Sequence, residues 1–454
     1  IVHSVNTHDK CGTEIEILPT EQWFIKILER KEDFIKQGNK IKWHPEFMHK
    51  RYDNWVNGLE WDWNISRDRH FGVPIPVWEC PKCKEIIIAD EKELPIDPVS
   101  VKKTCPKCKV EATAEKKVFD TWMTSSVSPQ LSENIVKKNV KIPYSLRPQA
   151  HDIIRTWLFY TIVKSLYHEK KIPWKNVMIS GFVTLGGEKM SKSKGNVVSP
   201  REVMNKYSSD ALRFWAAGSK LGEDFDYQEK DLITGKKFET KLWNASNFVF
   251  MNLSNYNFQK PKTLEMIDEL FLVKLNKLIK ICTESFENYE YSKAKLETEK
   301  FFWNIFCDNY MEIVKKRIYS GTGNSKLSAE YTLYTGLLTL LKLISPIMPF
   351  ITEEIYQTYY RKNEKDKSIH LSKWPSEFKT KYSLNDEKYF DIFIDILTKI
   401  RHEKSKAQKS MKSEINLALI KEDIKNLGKM IGDLKDVANA KEIKEGNEFK
   451  VEFL

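Results

Sequence analysis

The sequence predicts an α/β layer followed by an all-α bundle, and three observations carry that fold class. Between residues 118 and 200, extended apolar stretches such as Val177 to Leu185 alternate with helical ones such as Asp152 to His168, the texture of strand and helix units around a parallel sheet. Beyond about residue 225, apolar residues fall at spacings of three and four, as in Leu275, Leu278 and Cys282 or in Trp303, Phe306, Tyr310 and Ile313, so each set lines one face of a helix. Ahead of both lie two Cys-Pro-Lys-Cys pairs, the mark of a small metal-bound knob. The length of 454 residues accommodates about three domains at roughly 100 to 200 residues each.

Taken in order, residues 1–20 alternate Thr13, Ile15 and Ile17 against Glu14 and Glu16 and read as the last strand of a domain. The chain opens at Ile1 rather than Met, and IVHSVNTHDKCGTEIEIL lacks the apolar core of a secretion signal, so the start reads as internal. Residues 21–117, rich in tryptophan and proline, read as a connective region carrying the cysteine knuckle at 80–108. Residues 118–225 form the α/β layer. Residues 226–370 form the helical bundle, which ends in a polar, basic linker with Arg361, Lys362, Asn363, Lys365 and Lys367. Residues 371–454 hold a helix with Phe393, Leu397 and Ile400 on one face and two short strands at 415–420 and 448–454, a small C-terminal α/β region. No internal repeat is present.

Hydrophobic residues at 41% and charged residues at 30% are those of a water-soluble protein, and no run reaches the roughly 18 apolar residues of a membrane span. The 74 lysines and arginines against 63 acidic residues leave a net charge of +11, which favours an anionic partner such as nucleic acid. Of the seven cysteines, Cys11, Cys282 and Cys307 are scattered. That is poor material for a disulfide framework and points to a reducing cytoplasm.

Cys80 and Cys83 pair with Cys105 and Cys108 across a gap of 21 residues. A tight turn within each pair aims two thiolates at one ion, and two such turns complete a tetrahedron, so the expected ligand is Zn2+. With four sulfurs no position stays open for water or substrate, and the site is structural rather than catalytic. His8 and Cys11 read as a lone buried thiol beside a histidine in preference to half of a second metal site.

After the strand-like Val177 to Leu185 comes GGEKMSKSKGN at 186–196. Glycines give a mobile backbone, and Lys189, Lys192 and Lys194 can converge on a polyphosphate from a short arc. Such a loop suits the charge that develops as pyrophosphate leaves an attacked α-phosphate. The pentapeptide Lys189-Met190-Ser191-Lys192-Ser193 is the signature of class I aminoacyl-tRNA synthetases.

Over nearly its whole length the sequence resembles the valyl-tRNA synthetases of the archaeal type. ISRDRHFGVPIPVW at 65–78 is similar to the segment before that family's zinc knuckle; FDTWMTSS at 119–126 and LRPQAHDIIRTW at 146–157 resemble the segments that close its amino-acid pocket. FWNIFCDNYMEIVK at 302–315 and SPIMPFITEEIYQ at 345–357 resemble its helical anticodon-binding domain.

The resemblance implies the second half of a Rossmann-like catalytic domain and a reaction that attaches L-valine to tRNA(Val) through valyl-adenylate. Asp152 would hold the substrate ammonium, and Trp122, Ile153 and Trp157 would wall the side-chain pocket. Lys189 and Lys192 would act catalytically on the ATP phosphates with Met190, Ser191 and Ser193, and Ile179 and Phe182 would border the adenine. Mg2+ would accompany ATP. Asp308 and Glu312 read as structural rather than base-reading. The protein is expected to be a cytoplasmic monomer without membrane contact.

Two departures qualify the resemblance. The family's His-x-Gly-His segment, which grips ATP, is absent, so the isolated chain is expected to be inactive. Of the inserted editing domain only a final strand at 1–20 is expected; an apolar pocket rejects threonine by only about a hundredfold, so a valine enzyme needs that second site. Ala150 also stands where many relatives have glycine near the ribose. The competing readings are an isoleucyl- or leucyl-tRNA synthetase fragment and a non-catalytic tRNA-binding protein.

Overall fold

Described residues of this computed structural model are 4–8, 11–136, 140–191 and 195–454. It divides into two units, Ile1–Gly195 with Leu221–Phe225, and Asn196–Lys220 with Asp226–Leu454. In the first unit β1 (Lys42–His44), β2 (Tyr144–Ala150) and β3 (Trp174–Ser180) form a parallel sheet in the order β1-β3-β2, with Asn176 level with Lys42 on one side and Leu146 on the other. The helices of this unit are α1 (Lys31–Asn39), α2 (His49–Asn57), α3 (Thr121–Ser125), α4 (Ser128–Val136) and α5 (Trp157–Glu169). The sequence of α5 is apolar almost all round, the pattern of a helix covered on most faces. Leu158, Phe159, Ile162 and Val163 are accordingly fully buried. Phe159 meets Phe34 edge-on at 5.6 Å, and the Tyr52 hydroxyl donates to the Phe34 carbonyl at 2.9 Å, which ties α1, α2 and α5 into one core.

Two expectations change here. Residues 21–117 are more than a connective region, because Lys42–His44 is a strand of the parallel sheet, with Ile41 and Trp43 buried. At three residues it is too short for period-two alternation to reveal it. The stretch Val177 to Leu185 is broken rather than continuous: β3 ends at Ser180, and β4 (Val183–Leu185) pairs antiparallel with β5 (Glu188–Lys189). At the N-terminus, pairing of the described residues amounts to a bridge between Thr7 and Glu14, and Ile17 is 91% exposed, so the alternation there buries nothing.

The second unit is mostly helical: α6 (Pro200–Lys206), α7 (Ser209–Ala216), α8 (Glu229–Asn252), α9 (Met266–Glu287), α10 (Tyr291–Lys300), α11 (Met311–Ser320), α12 (Gly323–Ile344), α13 (Pro349–Ile355) and α14 (Glu387–Lys406). Phe301–Tyr310 joins α10 to α11 in wider turns with i→i+5 bonding. Phe306, Tyr310 and Ile313 are buried as their spacing predicts, whereas Trp303 is half-buried. The Glu312 carboxylate pairs with Lys315, and the Asp308 carbonyl accepts from Arg401.

A boundary at 370 is not how the core divides. One apolar cluster runs from Phe271 and Phe306 through Phe390, Phe393 and Leu397 to Ile415 and Leu417. The last strands are β6 (Ile415–Leu419), β7 (Ala440–Glu445) and β8 (Lys450–Phe453), with β7 parallel and β8 antiparallel to the central β6. Between β6 and β7 lie α15 (Lys421–Leu427) and α16 (Ile431–Ala438). The sequence reading missed β7 because Lys441, Glu442, Lys444 and Glu445 fill four of its positions, the composition of a protected edge strand.

Buried polar groups lock this unit. Arg317 donates two bonds to Asp268, at 2.8 and 2.7 Å, and its Nε stands 2.9 Å from Asp433. Tyr310 and Ser328 also donate to Asp268. On α7, Asp210 accepts the N–H groups of Phe350 and Ile351 at the start of α13 while Arg213 donates to the carbonyls of Pro346 and Ile347, so one helical turn holds the open end of α13 and the turn between α12 and α13. Among the described residues no helix is long and apolar enough to cross a membrane.

Candidate functional site

The knuckle is built from two copies of one turn. Cys80 N–H donates to the Glu85 carbonyl and Lys84 N–H to the Cys80 carbonyl; Cys105 N–H and Lys109 N–H make the equivalent bonds to Val110 and Cys105. Lys84 and Lys109 take left-handed φ values of 59° and 58°, which turn each chain back under its cysteine pair. Strands at Val77–Glu79, Ile86–Ile88 and Thr113–Ala114 support the turns, and the fully buried Trp78 donates from its indole to the Pro98 and Val101 carbonyls. Sulfur separations are 3.2 Å for Cys80 and Cys108, 3.4 Å for Cys83 and Cys108 and 3.6 Å for Cys83 and Cys105, and all four sulfurs lie within 4.8 Å of one another. Zn–S bonds of about 2.3 Å in a tetrahedron set sulfurs about 3.8 Å apart, so the donor set fits a metal ion. The Cys83 N–H directed at Cys80 drops that thiol to about 6, and hydrogen bonds from Cys108 to Cys80 and then to Cys83 push Cys108 up to about 12. Four thiolates so close need a cation among them.

Cys11 is exposed rather than buried as expected, because the N-terminal segment packs on no core, and its sulfur lies 3.3 Å from His8 Nδ1. Among the described residues only the four-cysteine group gathers three or more metal-binding side chains. Cys282 and Cys307 are buried, which pushes their thiols up to about 11 and about 12 and leaves them protonated.

The second constellation gathers where β2 and β3 end. Asp152 follows β2 in a short turn, and Lys189 lies on β5, reached through Gly186 and Gly187 with φ of 61° and 81°. Two successive positive φ values make the tight hairpin turn that glycine permits at no steric cost. The hairpin brings Lys189 Nζ to 3.8 Å from Asp152 Oδ2 and 3.7 Å from the centre of the Phe182 ring. Met190 and Ser191 follow directly and are half-buried. Lys192 and Ser193 lie outside the described residues.

Trp122, Ile153 and Trp157 pack on one apolar cluster. Asp120, nearly fully buried, caps α3 by accepting the Trp122 N–H and pairs with Arg67 at 3.3 Å. The Trp157 indole donates to the Ser125 carbonyl, its ring lies 5.1 Å from Trp174, and the Arg147 guanidinium sits 3.8 Å over it. Trp157 is thus largely core. Ile179 is fully buried on β3. Of the two residues expected to border the adenine, Phe182 alone stands partly open.

Sequence reasoning missed Asp224, Arg51 and Arg147. Asp224 accepts the Phe182 N–H at 2.7 Å, and its carboxyl is held below the usual carboxylate range chiefly by that bond, then by His151 and Arg51. The available signal was glycine: a Cβ on Gly181 would fall 2.1 Å from the Glu223 carbonyl oxygen, so the chain around 222 must return here. Also missed was a groove of about 430 Å³ on the second unit, lined by Tyr207, Lys236, Lys237, Lys241, Asn244 and Trp303, with Lys241 Nζ 5.2 Å from the Trp303 ring centre. Cations beside open aromatic faces suit phosphates and unstacked bases.

Comparison with known proteins shows what the chain resembles as a whole. The family described as tRNA synthetases class I (I, L, M and V) matches residues 5–228, and the anticodon-binding domain of tRNA ligase matches residues 268–420. The chain is 40% identical to the valine–tRNA ligase of Picrophilus torridus over 100% of its own length and 58% of that protein. The corresponding figures are 42%, 93% and 54% for that of Thermoplasma volcanium and 44%, 98% and 55% for that of Ehrlichia ruminantium. The chain therefore spans about half the length of the curated relatives it matches. Solved structures share the fold: Mycobacterium tuberculosis methionyl-tRNA synthetase bound by methionyl-adenylate (TM-score 0.56, 17% identity, 78% of this chain and 66% of that one) and an Agrobacterium radiobacter LeuRS in complex with tRNA and LeuAMS (TM-score 0.54, 19% identity, 70% and 42%).

Proposed function

The chain belongs to the class I aminoacyl-tRNA synthetases, and from that premise we propose that it carries the lysine loop, knuckle and helical bundle of an enzyme that attaches L-valine to tRNA(Val). The observation that carries the reading is the juxtaposition of Asp152 and Lys189 at 3.8 Å on the Phe182 ring. An amino acid and ATP need one negative group for the ammonium and one positive group for the phosphates, side by side.

In the first step the valine carboxylate attacks the α-phosphorus of ATP, a P–O bond forms, and pyrophosphate leaves. Asp152 holds the ammonium, Trp122, Ile153 and Trp157 bound the apolar side, and Lys189 with Lys192 meets the phosphates, with Met190, Ser191 and Ser193 shaping the loop. Mg2+ bound to ATP would share the phosphate charge. In the second step a ribose hydroxyl of the terminal adenosine attacks the carbonyl and AMP leaves. The protein's work is positioning and charge stabilisation. The lysine and aromatic groove beside Trp303 supports tRNA as the partner, and Zn2+ in the four-cysteine knuckle would hold its two turns together. The same reading makes the protein a cytoplasmic monomer.

Valine-dependent pyrophosphate exchange by the protein extended upstream of Ile1 tests the proposal. Exchange with isoleucine but not valine overturns the amino-acid assignment. The 454-residue chain alone is expected to bind tRNA with negligible exchange, and zinc analysis of that chain is expected to find one equivalent, lost on Cys105→Ser.

A further inference from the structure

The base of the lysine hairpin is held by side chains that have no part in the contacts assigned above. Asp224 Oδ1 accepts the Phe182 N–H at 2.7 Å and lies 3.4 Å from His151 Nε2, while Arg51 Nη1 stands 3.0 Å from His151 Nδ1. A guanidinium only donates, so Nδ1 is the acceptor and the proton sits on Nε2, facing Asp224; the tautomer is assigned from its partners. The His151 ring meets Phe182 edge-on at 4.3 Å, and Phe182 in turn carries Lys189.

Asp224 reaches this place from 42 residues downstream of Phe182, because Leu221–Phe225 rejoins the first unit. Gly222 N–H donates to the Ile179 carbonyl and Phe225 N–H to the Phe182 carbonyl, both at 2.8 Å. The returning segment is therefore tied on both sides of the break between β3 and β4. A Cβ at Gly181 would strike Glu223, so the approach leaves no slack.

We infer that Asp224, acting through His151 and the Phe182 amide, is a positioning residue that sets where the Phe182 ring and the Lys189 ammonium stand for the triphosphate. The inference rests on the reading of Lys189 as a phosphate contact. Arg51 and Asp224 grip His151 from its two nitrogens, so the ring cannot turn without breaking one bond, and Phe182 cannot shift without losing its amide acceptor.

The test uses the upstream-extended protein and valine-dependent pyrophosphate exchange. Asp224→Ala is expected to raise KM for ATP about tenfold or more while KM for valine stays within about twofold, since a small displacement of a positioned group costs rate steeply. Asp224→Asn, whose amide oxygen still accepts the Phe182 N–H, falls between. His151→Gln added to Asp224→Ala costs less than the product of the two single effects, because both act through one network. An unchanged KM for ATP in Asp224→Ala overturns the inference, as does an equal rise for both substrates with a parallel drop in Tm. Failure of the unaltered protein to exchange with valine sinks the proposed function instead.

Discussion

Two carboxylate and cation pairs stand in opposite settings in the two units. Asp152 and Lys189 are 42% and 56% exposed and meet at a single 3.8 Å contact. Asp268 and Arg317 are 0% and 10% exposed and meet through two bonds, with Tyr310 and Ser328 filling the remaining acceptor sites. The exposed pair is screened and weakly held, so a ligand carrying an ammonium and a phosphate can replace each partner with little loss. The buried pair cannot exchange, because removing either member strands a charge in an apolar core. Equal chemistry thus serves recognition in one unit and architecture in the other.

The comparison is tested most severely at Asp268. Asp268→Ala leaves Arg317 with Asp433 as its one carboxylate partner beside the Ser325 carbonyl and is expected to cost about 3 to 5 kcal/mol of stability, read by urea unfolding of the 454-residue chain; a loss under about 1 kcal/mol would break the contrast. Lys404 comes next. It is 1% exposed and donates to the carbonyls of Met411, Ser413 and Ala438 at 2.9, 2.8 and 2.7 Å. Lys404→Met strands three acceptors and is expected to cost about 3 kcal/mol.

A pH effect follows from Asp433, which burial pushes up to about 7 against the pull of Arg317, with Asp268, Glu265 and Asp436 adding to the rise. The folded state holds this proton more tightly than the unfolded chain does. Its contribution is full below about pH 4, the unfolded carboxylate value, and is lost as pH rises through about 7. Stability is expected to fall by on the order of 4 kcal/mol across that window, and Asp433→Asn should flatten this part of the profile. The smallest effect belongs to the exposed pair: Asp152→Asn and Lys189→Gln should each move stability by less than about 0.5 kcal/mol. A larger loss would give this pair an architectural role.

Much of this was legible before any coordinates. The knuckle announced itself because four cysteines must be local in pairs to aim at one ion, and the lysine hairpin because its glycines and lysines are contiguous. Periodicity marked α9 and the run from α10 to α11, since long helices repeat their pattern often enough to be counted. What escaped was short or remote. The strand Lys42–His44 has three residues, β7 wears charges at four of six positions, and Asp224 lies 42 residues from the amide it holds. The burial of Ile179 escaped for another reason: Val177 and Ile179 are buried while Asn176 and Met178 between them are half-buried, and an apolar residue in such a strand gives no sign of whether it meets core or ligand.

The sequence by itself determined which chemistry the chain can carry: four thiolates for one ion, lysines on a glycine hinge, helices with one apolar face. These are properties of neighbours along the chain, fixed by turn geometry and helical spacing. Only the tertiary structure decided which of those groups meet. It set Asp152 against Lys189, sank Ile179 and most of Trp157 into the core, joined residues 371–454 to the bundle through one apolar cluster, and returned Asp224 to Phe182. Such pairings depend on how buried surfaces close over long loops, and many placements of equal local propensity are separated only by the packing that results.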